Sequence, residues 1–222
     1  MTAVVIGATG GIGAALSDAL ERDSEPVMRL GRRTEPRLDL LEEASIAAAA
    51  ARIGPGLALV IDATGFLHDE RYQPEKSLRQ IDPTHMALSF AINATGPALL
   101  MKHFLPLLAR DRRAVFATLS ARVGSISHNR LGGWYSYRAA KAALNQIVRS
   151  AAIELARTHR LAICVALHPG TVNTGLSGPF AKAGLEVQTP HQAAERLVGV
   201  IDALTPSKTG LLLDHQGAQI PF

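Results

Sequence analysis

The sequence contains a single cysteine, few aromatic residues and no long hydrophobic run. Cys164 alone cannot form an intramolecular disulfide, and a metal site with several cysteine ligands is excluded. It stands in the apolar run 161–167 and is interpreted as a core thiol. The opening apolar stretch has no charged leader and is broken from Gly7 onward, so neither a signal peptide nor a membrane span is expected. These absences predict a cytoplasmic protein without a membrane partner.

The formal charge of +4 is not accompanied by a nucleic-acid motif. Its basic clusters are small, with four arginines between positions 29 and 37 and three between 110 and 113. The eight histidines form no His-Glu-x-x-His motif and no paired-ligand spacing. We therefore expect no nucleic-acid partner and no metal site.

Short apolar runs alternate with helical segments along the chain. The expected strands are 3–6, 26–30, one around Leu38, 57–62, 114–119, 161–166 and 211–213; the expected helices are 12–22, 42–52, 83–108, 134–158 and 190–204. This alternation predicts parallel strands joined by crossover helices, which is a doubly wound, three-layer α/β/α fold. No repeat or linker marks a second domain, so one domain is expected over residues 1–222.

A glycine-rich turn lies between the first strand and the first helix. Glycine there lets the backbone turn sharply and approach a pyrophosphate, which the N-terminus of the following helix attracts. In this position the turn predicts a dinucleotide site. The residues predicted to form it are Gly7, Thr9, Gly10, Gly11, Ile12 and Gly13.

Two arginines follow the second strand, where an acidic residue would bind the adenosine ribose of NAD. Arg32 and Arg33 instead favour NADP, because a guanidinium offers paired donors to a phosphate. Arg32 is the first candidate for the 2′-phosphate ligand and Arg33 the second. The alternative is a pair of solvated loop arginines.

Tyr137 and Lys141 stand four residues apart in the helix predicted at 134–158, so both side chains are expected on one helix face. A phenol with a pKa near 10 exchanges protons poorly at neutral pH. We expect the lysine cation to lower that pKa and make Tyr137 a usable acid and base. The neighbouring Tyr135 lacks this spacing and is interpreted as a packing residue.

The glycine spacing Gly7, Gly11, Gly13 together with this Tyr-x-x-x-Lys motif resembles the short-chain dehydrogenase/reductase family. The match covers nearly the whole chain, and the segments 124–137 and 214–222 are similar to the small carbonyl reductases and C-factor-like proteins. The resemblance implies a Rossmann-type fold, an NAD(P) cofactor and a lysine that also holds the nicotinamide ribose. The family is often dimeric or tetrameric, and the oligomeric state stays open.

Further site residues are implied by the same resemblance. Asn93 matches the asparagine that supports the family's proton relay. The family's second serine after the strand at 114–119 is replaced by Ala121, so either Ser120 or Ser125 is expected to orient the substrate, with Ser120 preferred. The remaining implied cofactor ligands are Asp39, Leu40, Ala63, Thr64, Gly65, Pro169, Gly170, Val172 and Thr174.

The sequence thus predicts an NADP(H)-preferring enzyme that reduces a ketone, aldehyde or quinone, with Tyr137 as the proton donor. The alternative is a cofactor-binding signalling protein with incidental turnover, which the missing second serine motivates. The irregular segments 66–81, 121–133 and 175–189 are expected to shape the substrate pocket. Leu176, Phe180 and Leu185 are available there to cover an apolar substrate.

Overall fold

The computed structural model describes residues 3–22, 26–180 and 186–222. The strands are β1 (Ala3–Ile6), β2 (Val27–Leu30), β3 (Leu59–Asp62), β4 (Ala114–Leu119), β5 (Ala162–His168), β6 (Thr171–Val172), β7 (Val187–Gln188), β8 (Leu212–Asp214) and β9 (Gln219–Ile220). The α-helices are α1 (Gly11–Arg22), α2 (Glu43–Ile53), α3 (Pro83–Phe90), α4 (Gly96–Phe104), α5 (Tyr135–Leu155) and α6 (Pro190–Asp202).

The main sheet has the strand order β2-β1-β3-β4-β5-β8-β9. All neighbouring pairs run parallel except β8 and β9, which are antiparallel. The chain proceeds outward from β1 to β2 and then returns to place β3 on the other side of β1. The strand order therefore reverses between β1 and β3, which is where doubly wound sheets bind ligands. The predicted fold class is confirmed.

Both faces of the sheet are covered by helices. Val4 and Ile6 of β1 face a cluster that includes side chains of α2, α4 and α5. Ala3 and Val5, which alternate with them along the strand, face a cluster that includes α1 and α6. Because successive strand residues point to opposite faces, an uninterrupted apolar run is what a sheet buried on both sides requires.

Two predicted elements differ from the structure. Near Leu38 there is no strand but an isolated bridge between Gly31 and Arg37, and Leu38 is buried while its N–H donates to the Gly31 carbonyl over 2.9 Å. The helix expected at 83–108 is divided into α3, a π turn (Ala91–Thr95), α4 and a final 3-10 turn. Hydrophobic periodicity does not distinguish these helix types, because one wide turn keeps the apolar stripe facing the sheet.

Strands β6, β7 and β9 were not predicted, because each has only two residues. Among the helices that the structure describes, none is both long and apolar enough to cross a bilayer.

Candidate active site

A cleft of about 1180 Å³ opens at the carboxyl ends of β1, β3, β4 and β5. It lies beside the point where the strand order reverses. The predicted site residues that line it are Gly10, Gly11, Ile12, Ala63, Thr64, Gly65, Ser120, Tyr137, Lys141, Pro169, Gly170, Val172 and Thr174. Residues from five separated segments of the sequence thus meet in one space.

The glycine turn is packed so tightly that a side chain at Gly11 or Gly13 would collide with neighbouring atoms. Gly7 has a φ of +79°, which glycine adopts without strain. A Cβ on Gly13 would overlap the Gly7 carbonyl oxygen and lie 2.8 Å from the Gly7 carbonyl carbon. A Cβ on Gly11 would lie 2.9 Å from the Thr174 methyl group. The turn is a tight cradle at the start of α1.

This cradle fits the pyrophosphate of a dinucleotide. The first N–H groups of a helix have no intrahelical acceptor, and α1 has no acidic residue in its first turn to repel an anion. Gly10, Gly11 and Ile12 face the cleft. Backbone donors and the positive helix end therefore meet at the floor of the cleft.

Arg32 and Arg33 are exposed in the turn after β2, and neither forms an ion pair with a described residue. The turn is held by Thr34, whose hydroxyl accepts from the Gly31 N–H over 2.8 Å. A Cβ on Gly31 would lie 3.6 Å from the Thr9 hydroxyl, so the arginine turn adjoins the glycine turn. In doubly wound dinucleotide-binding folds, an arginine near this turn accommodates the 2′-phosphate of NADP.

Asp39 and Leu40 lie outside the cleft lining. The Asp39 carboxylate accepts from Arg37 over 2.9 Å and from the Leu41 N–H over 3.1 Å. Leu40 packs under α4, where a Cβ on Gly96 would lie 2.9 Å from the Leu40 Cβ. Both residues support the loop after β2.

Asn93 is fully buried in the π turn, outside the cleft lining. Its amide nitrogen donates to the Phe66 carbonyl over 2.7 Å, and its amide oxygen accepts from the Phe66 N–H over 3.0 Å. Asn93 thus holds the chain just after the cleft residue Gly65. The π turn widens the helix at the point where this contact is made, as π turns at functional sites often do.

Asp62, at the end of β3, was not among the predicted site residues. Its carboxylate is buried and accepts from the Thr64 N–H over 3.0 Å and from the Thr118 hydroxyl over 2.7 Å. Burial raises the pKa of this carboxyl group, against the opposite effect of those hydrogen bonds and of the Lys141 charge. It directly precedes the predicted ligands Ala63, Thr64 and Gly65, but its electrostatic interaction with Lys141 could not be predicted from the sequence.

Tyr137 and Lys141 lie on the same face of α5, as predicted, and both line the cleft. The Lys141 Nζ lies 5.9 Å from the centroid of the Tyr137 ring and donates to the Leu119 carbonyl over 2.8 Å. The expected pKa effect is wrong for the protein alone: burial raises the pKa of Tyr137. Lys141 is itself 2% exposed, and burial lowers its pKa to about 8.

The structure separates the two candidate serines. Ser120 is buried in the cleft wall and donates to the Asn145 amide oxygen over 2.7 Å. Ser125 donates to the Pro221 carbonyl and is outside the cleft lining. Ser120 is therefore the serine that lies near Tyr137 and Lys141, with Ala121 beside it.

Asn145 was missed by sequence reasoning. It lies four residues after Lys141, on the same face of α5, and its amide nitrogen donates to the Gly124 carbonyl over 3.3 Å. The spacing of Tyr137, Lys141 and Asn145, each four residues apart, was the signal that could have found it.

Glu75 was also missed, since a lone glutamate in a loop gives no signal. Its carboxylate is buried and accepts from the Ser136 N–H over 3.2 Å and from the Ser136 hydroxyl. His85 lies 3.3 Å from the same carboxylate. Glu75 thus accepts the hydrogen bonds of Ser136 in the first turn of α5, and Ser136 directly precedes Tyr137.

Aromatic rings form one wall of the cleft. Phe180 lies edge-to-face between His68, at 5.1 Å between centroids, and Trp134, at 5.4 Å. Trp134 in turn lies 6.3 Å from the Tyr137 ring. Leu176 lines the same space, whereas Leu185 lies outside the described residues. The wall places apolar surface around Tyr137.

His168, at the end of β5, lines the cleft, and its Nδ1 has no hydrogen-bond partner among the described residues. Burial, with the charge of Arg122 and the neighbouring His215, lowers its pKa to about 4. His168 is therefore neutral at physiological pH, and its buried Nδ1 is an unpaired polar atom next to the cleft.

A doubly wound sheet with a glycine cradle and a Tyr–Lys pair at its crevice is typical of nucleotide-dependent α/β oxidoreductases. A family model described as enoyl-(acyl carrier protein) reductase matches residues 8–203. The chain belongs to the short-chain dehydrogenase/reductase family, whose members are NAD(P)-dependent oxidoreductases.

Relatives and solved structures agree with this assignment. The chain is 30% identical to 1-hydroxy-2-glutathionyl-2-methyl-3-butene dehydrogenase of a Rhodococcus species, over 97% of each chain. It is 37% identical to the C-signal protein of Myxococcus xanthus, over 66% of this chain and 84% of that one. NADPH-bound carbonyl reductase from chicken fatty liver is similar in structure, with a TM-score of 0.87, 25% identity, and 100% and 98% coverage of the two chains.

Proposed function

We propose that this protein is an NADP(H)-preferring reductase that converts a ketone, aldehyde or quinone carbonyl to an alcohol, with Tyr137 as the proton donor. The observation that carries the proposal is the half-buried Tyr137 beside the buried Lys141, in a cleft that also contains the glycine cradle. The printed names of two relatives, a dehydrogenase and an NADPH-bound carbonyl reductase, support the same chemistry.

The residues present fit a nicotinamide dinucleotide. The glycine cradle would hold the pyrophosphate, Arg32 the 2′-phosphate with Arg33 second, and Lys141 the nicotinamide ribose. Ala63, Thr64 and Gly65, with Pro169, Gly170, Val172 and Thr174, would form the remaining walls. When bound, the reduced cofactor supplies the hydride.

The protein's own residues would supply the proton and position the carbonyl. The Tyr137 phenol is protonated at neutral pH, and burial raises its pKa further, so it can donate to the carbonyl oxygen as negative charge develops there. Ser120 would orient that oxygen as a second donor after its single hydroxyl proton, which Asn145 accepts in the free protein, turns to the substrate. The aromatic wall beside Tyr137 would limit the access of water.

The function and the cofactor preference can be tested together. We expect NADPH oxidation with a panel of quinones, aldehydes and ketones, followed by absorbance, and a higher kcat/KM for NADPH than for NADH. Arg32→Ala should lower kcat/KM for NADPH by about 10- to 100-fold and leave NADH unchanged, since charge-assisted hydrogen bonds to phosphate are worth roughly 1.5–3 kcal/mol. Arg52→Ala is the control, because Arg52 is also exposed but lies in α2 and pairs with Glu35. Equal use of both cofactors by the wild type would contradict the NADP preference.

A dependence on pH follows from Lys141. With a pKa of about 8, its side chain is a cation below that pH and neutral above it. If the cation holds the cofactor, kcat/KM for NADPH should be constant below about pH 8 and fall up to tenfold per unit above it, because this parameter reports the free enzyme. Lys141→Arg should abolish the fall, since a guanidinium stays charged. A wild-type profile that stays flat to pH 9.5 would contradict this role.

One observation favours a second candidate, a cofactor-binding signalling protein. Ala121 stands where the family has its second serine, and the Ser120 hydroxyl already donates to Asn145. A sensor would keep its biological effect when Tyr137 is replaced by Phe, whereas an enzyme would lose it.

A further inference from the structure

The cleft is lined by cations but, among the described residues, by no carboxylate. Besides Lys141, its walls contain Lys76, Arg122 and Arg138. Lys76 lies on the loop before α3, Arg122 on the connection from β4 to α5 and Arg138 in the first turn of α5, whereas the glycine cradle lies between β1 and α1. They therefore form a separate basic rim, which we define as Lys76, Arg122 and Arg138.

The three rim residues are neighbours through the backbone. Arg138 donates to the Gly133 carbonyl over 3.0 Å and to the Val123 carbonyl over 3.3 Å, and Val123 is adjacent to Arg122. A Cβ on Gly133 would lie 3.9 Å from the Cα of Lys76. Arg138 thus contacts the residue next to Arg122 and a residue that lies beside Lys76.

The nearby carboxylates neutralise only part of this charge. Asp214 lies 3.0 Å from Arg122. Glu75 precedes Lys76 in sequence, but its side chain is buried against Ser136 and His85. Among the described residues, neither Lys76 nor Arg138 has a carboxylate within 4.0 Å.

Of Lys76 and Arg138, Arg138 gives the clearer indication of an anion-binding site. It is half-buried, and burial lowers its pKa. A guanidinium has five N–H donors, of which two point to the carbonyls of Gly133 and Val123. A partly desolvated cation with spare donors is stabilised when an anion binds beside it.

The rest of this part of the cleft is apolar. Leu67, Leu131, Trp134, Leu176 and Phe180 line it. We propose that the substrate has an apolar body and an anionic group, which Lys76 and Arg138 bind at the rim while the carbonyl lies at Tyr137. This inference rests on the proposed reductase function, and it narrows the substrate class to carbonyl compounds that carry a carboxylate or a similar anion.

The test compares two aldehydes that differ in one charge, 4-formylbenzoate and its methyl ester, at saturating NADPH. We expect kcat/KM to be about 5- to 10-fold higher for the anion, and this preference to shrink with added salt. Lys76→Met should reduce the preference to about twofold or less without changing kcat/KM for the ester. Lys208→Met is the control, because Lys208 is exposed and lies away from the cleft. Lys76 is chosen because its side chain is exposed, whereas a change at Arg138 also removes two structural hydrogen bonds.

The outcomes separate the two claims. Turnover of both aldehydes with equal kcat/KM would overturn the anionic substrate and leave the reductase. Turnover of neither would count against these aldehydes as substrates of the proposed reductase, and the rim is then tested by calorimetry with 4-(hydroxymethyl)benzoate and its methyl ester in the presence of NADP. Tighter binding of the carboxylate, lost in Lys76→Met, would support the rim; equal binding would overturn it.

Discussion

Replacing Tyr137 with Phe is expected to lower kcat for carbonyl reduction by about 10³-fold, within the range of a lost general acid. The variant removes one hydroxyl and keeps the ring, so the contact with the Lys141 Nζ at 5.9 Å and the packing against Trp134 should remain. NADPH affinity should therefore change by less than about twofold. Steady-state kinetics and equilibrium titration of cofactor fluorescence measure the two quantities separately.

Tyr135 provides the matched control. It is also half-buried, at the start of the same helix, but it is outside the cleft lining. Tyr135→Phe should keep kcat within about twofold of the wild type. If Tyr137→Phe retained more than a tenth of the wild-type rate, another group would have to donate the proton and our assignment would be wrong.

Replacing Gly13 with Ala should disable the cofactor site and weaken the fold. The added methyl group would overlap the Gly7 carbonyl oxygen and lie 3.2 Å from the Ala8 Cα, and all of these neighbours are backbone atoms. Moving them deforms the cradle. We expect a loss of about 3 kcal/mol in the free energy of unfolding. We also expect NADPH binding to weaken by about 100-fold, equivalent to roughly 2.7 kcal/mol. Denaturant unfolding and calorimetry measure the two effects.

Gly199 is the control for the same chemical change. It lies in α6, and a Cβ there would meet nothing within 4 Å. Gly199→Ala should raise the free energy of unfolding by about 0.5–1 kcal/mol, because alanine loses less backbone entropy in a helix. Unchanged NADPH affinity in Gly13→Ala would show that the cradle does not hold the pyrophosphate.

Much of the fold could be predicted because buried parallel strands leave a clear sequence pattern. The apolar runs 3–6 and 114–119 correspond to β1 and β4 with unchanged bounds. Leu38 was misassigned because a buried leucine in a supporting loop has the same local signature as one in a short strand. The division of the helix at 83–108 was invisible for a related reason: its apolar residues still face the sheet.

The candidate site was predictable only where function depends on local spacing. Gly7, Gly11 and Gly13 share one turn, and Tyr137 and Lys141 share one helix face. Their roles remain predictions. The partners contributed from elsewhere could not be found this way. Glu75 reaches Ser136 across 61 positions of sequence, and the choice between Ser120 and Ser125 depended on where the segment near Pro221 lies.

The π turn at Ala91–Thr95 makes this part of the chain tolerant of a change in length. A π turn holds one residue more than an α turn, so the loss of one residue here could be absorbed by restoring a regular helix. The side chains of α4 would then keep their orientation, and Leu100 and Phe104, both fully buried, would still face the sheet. Asn93, however, would no longer reach Phe66. A single-residue deletion at this turn should therefore preserve the helix and its packing while it disturbs the chain beside Gly65.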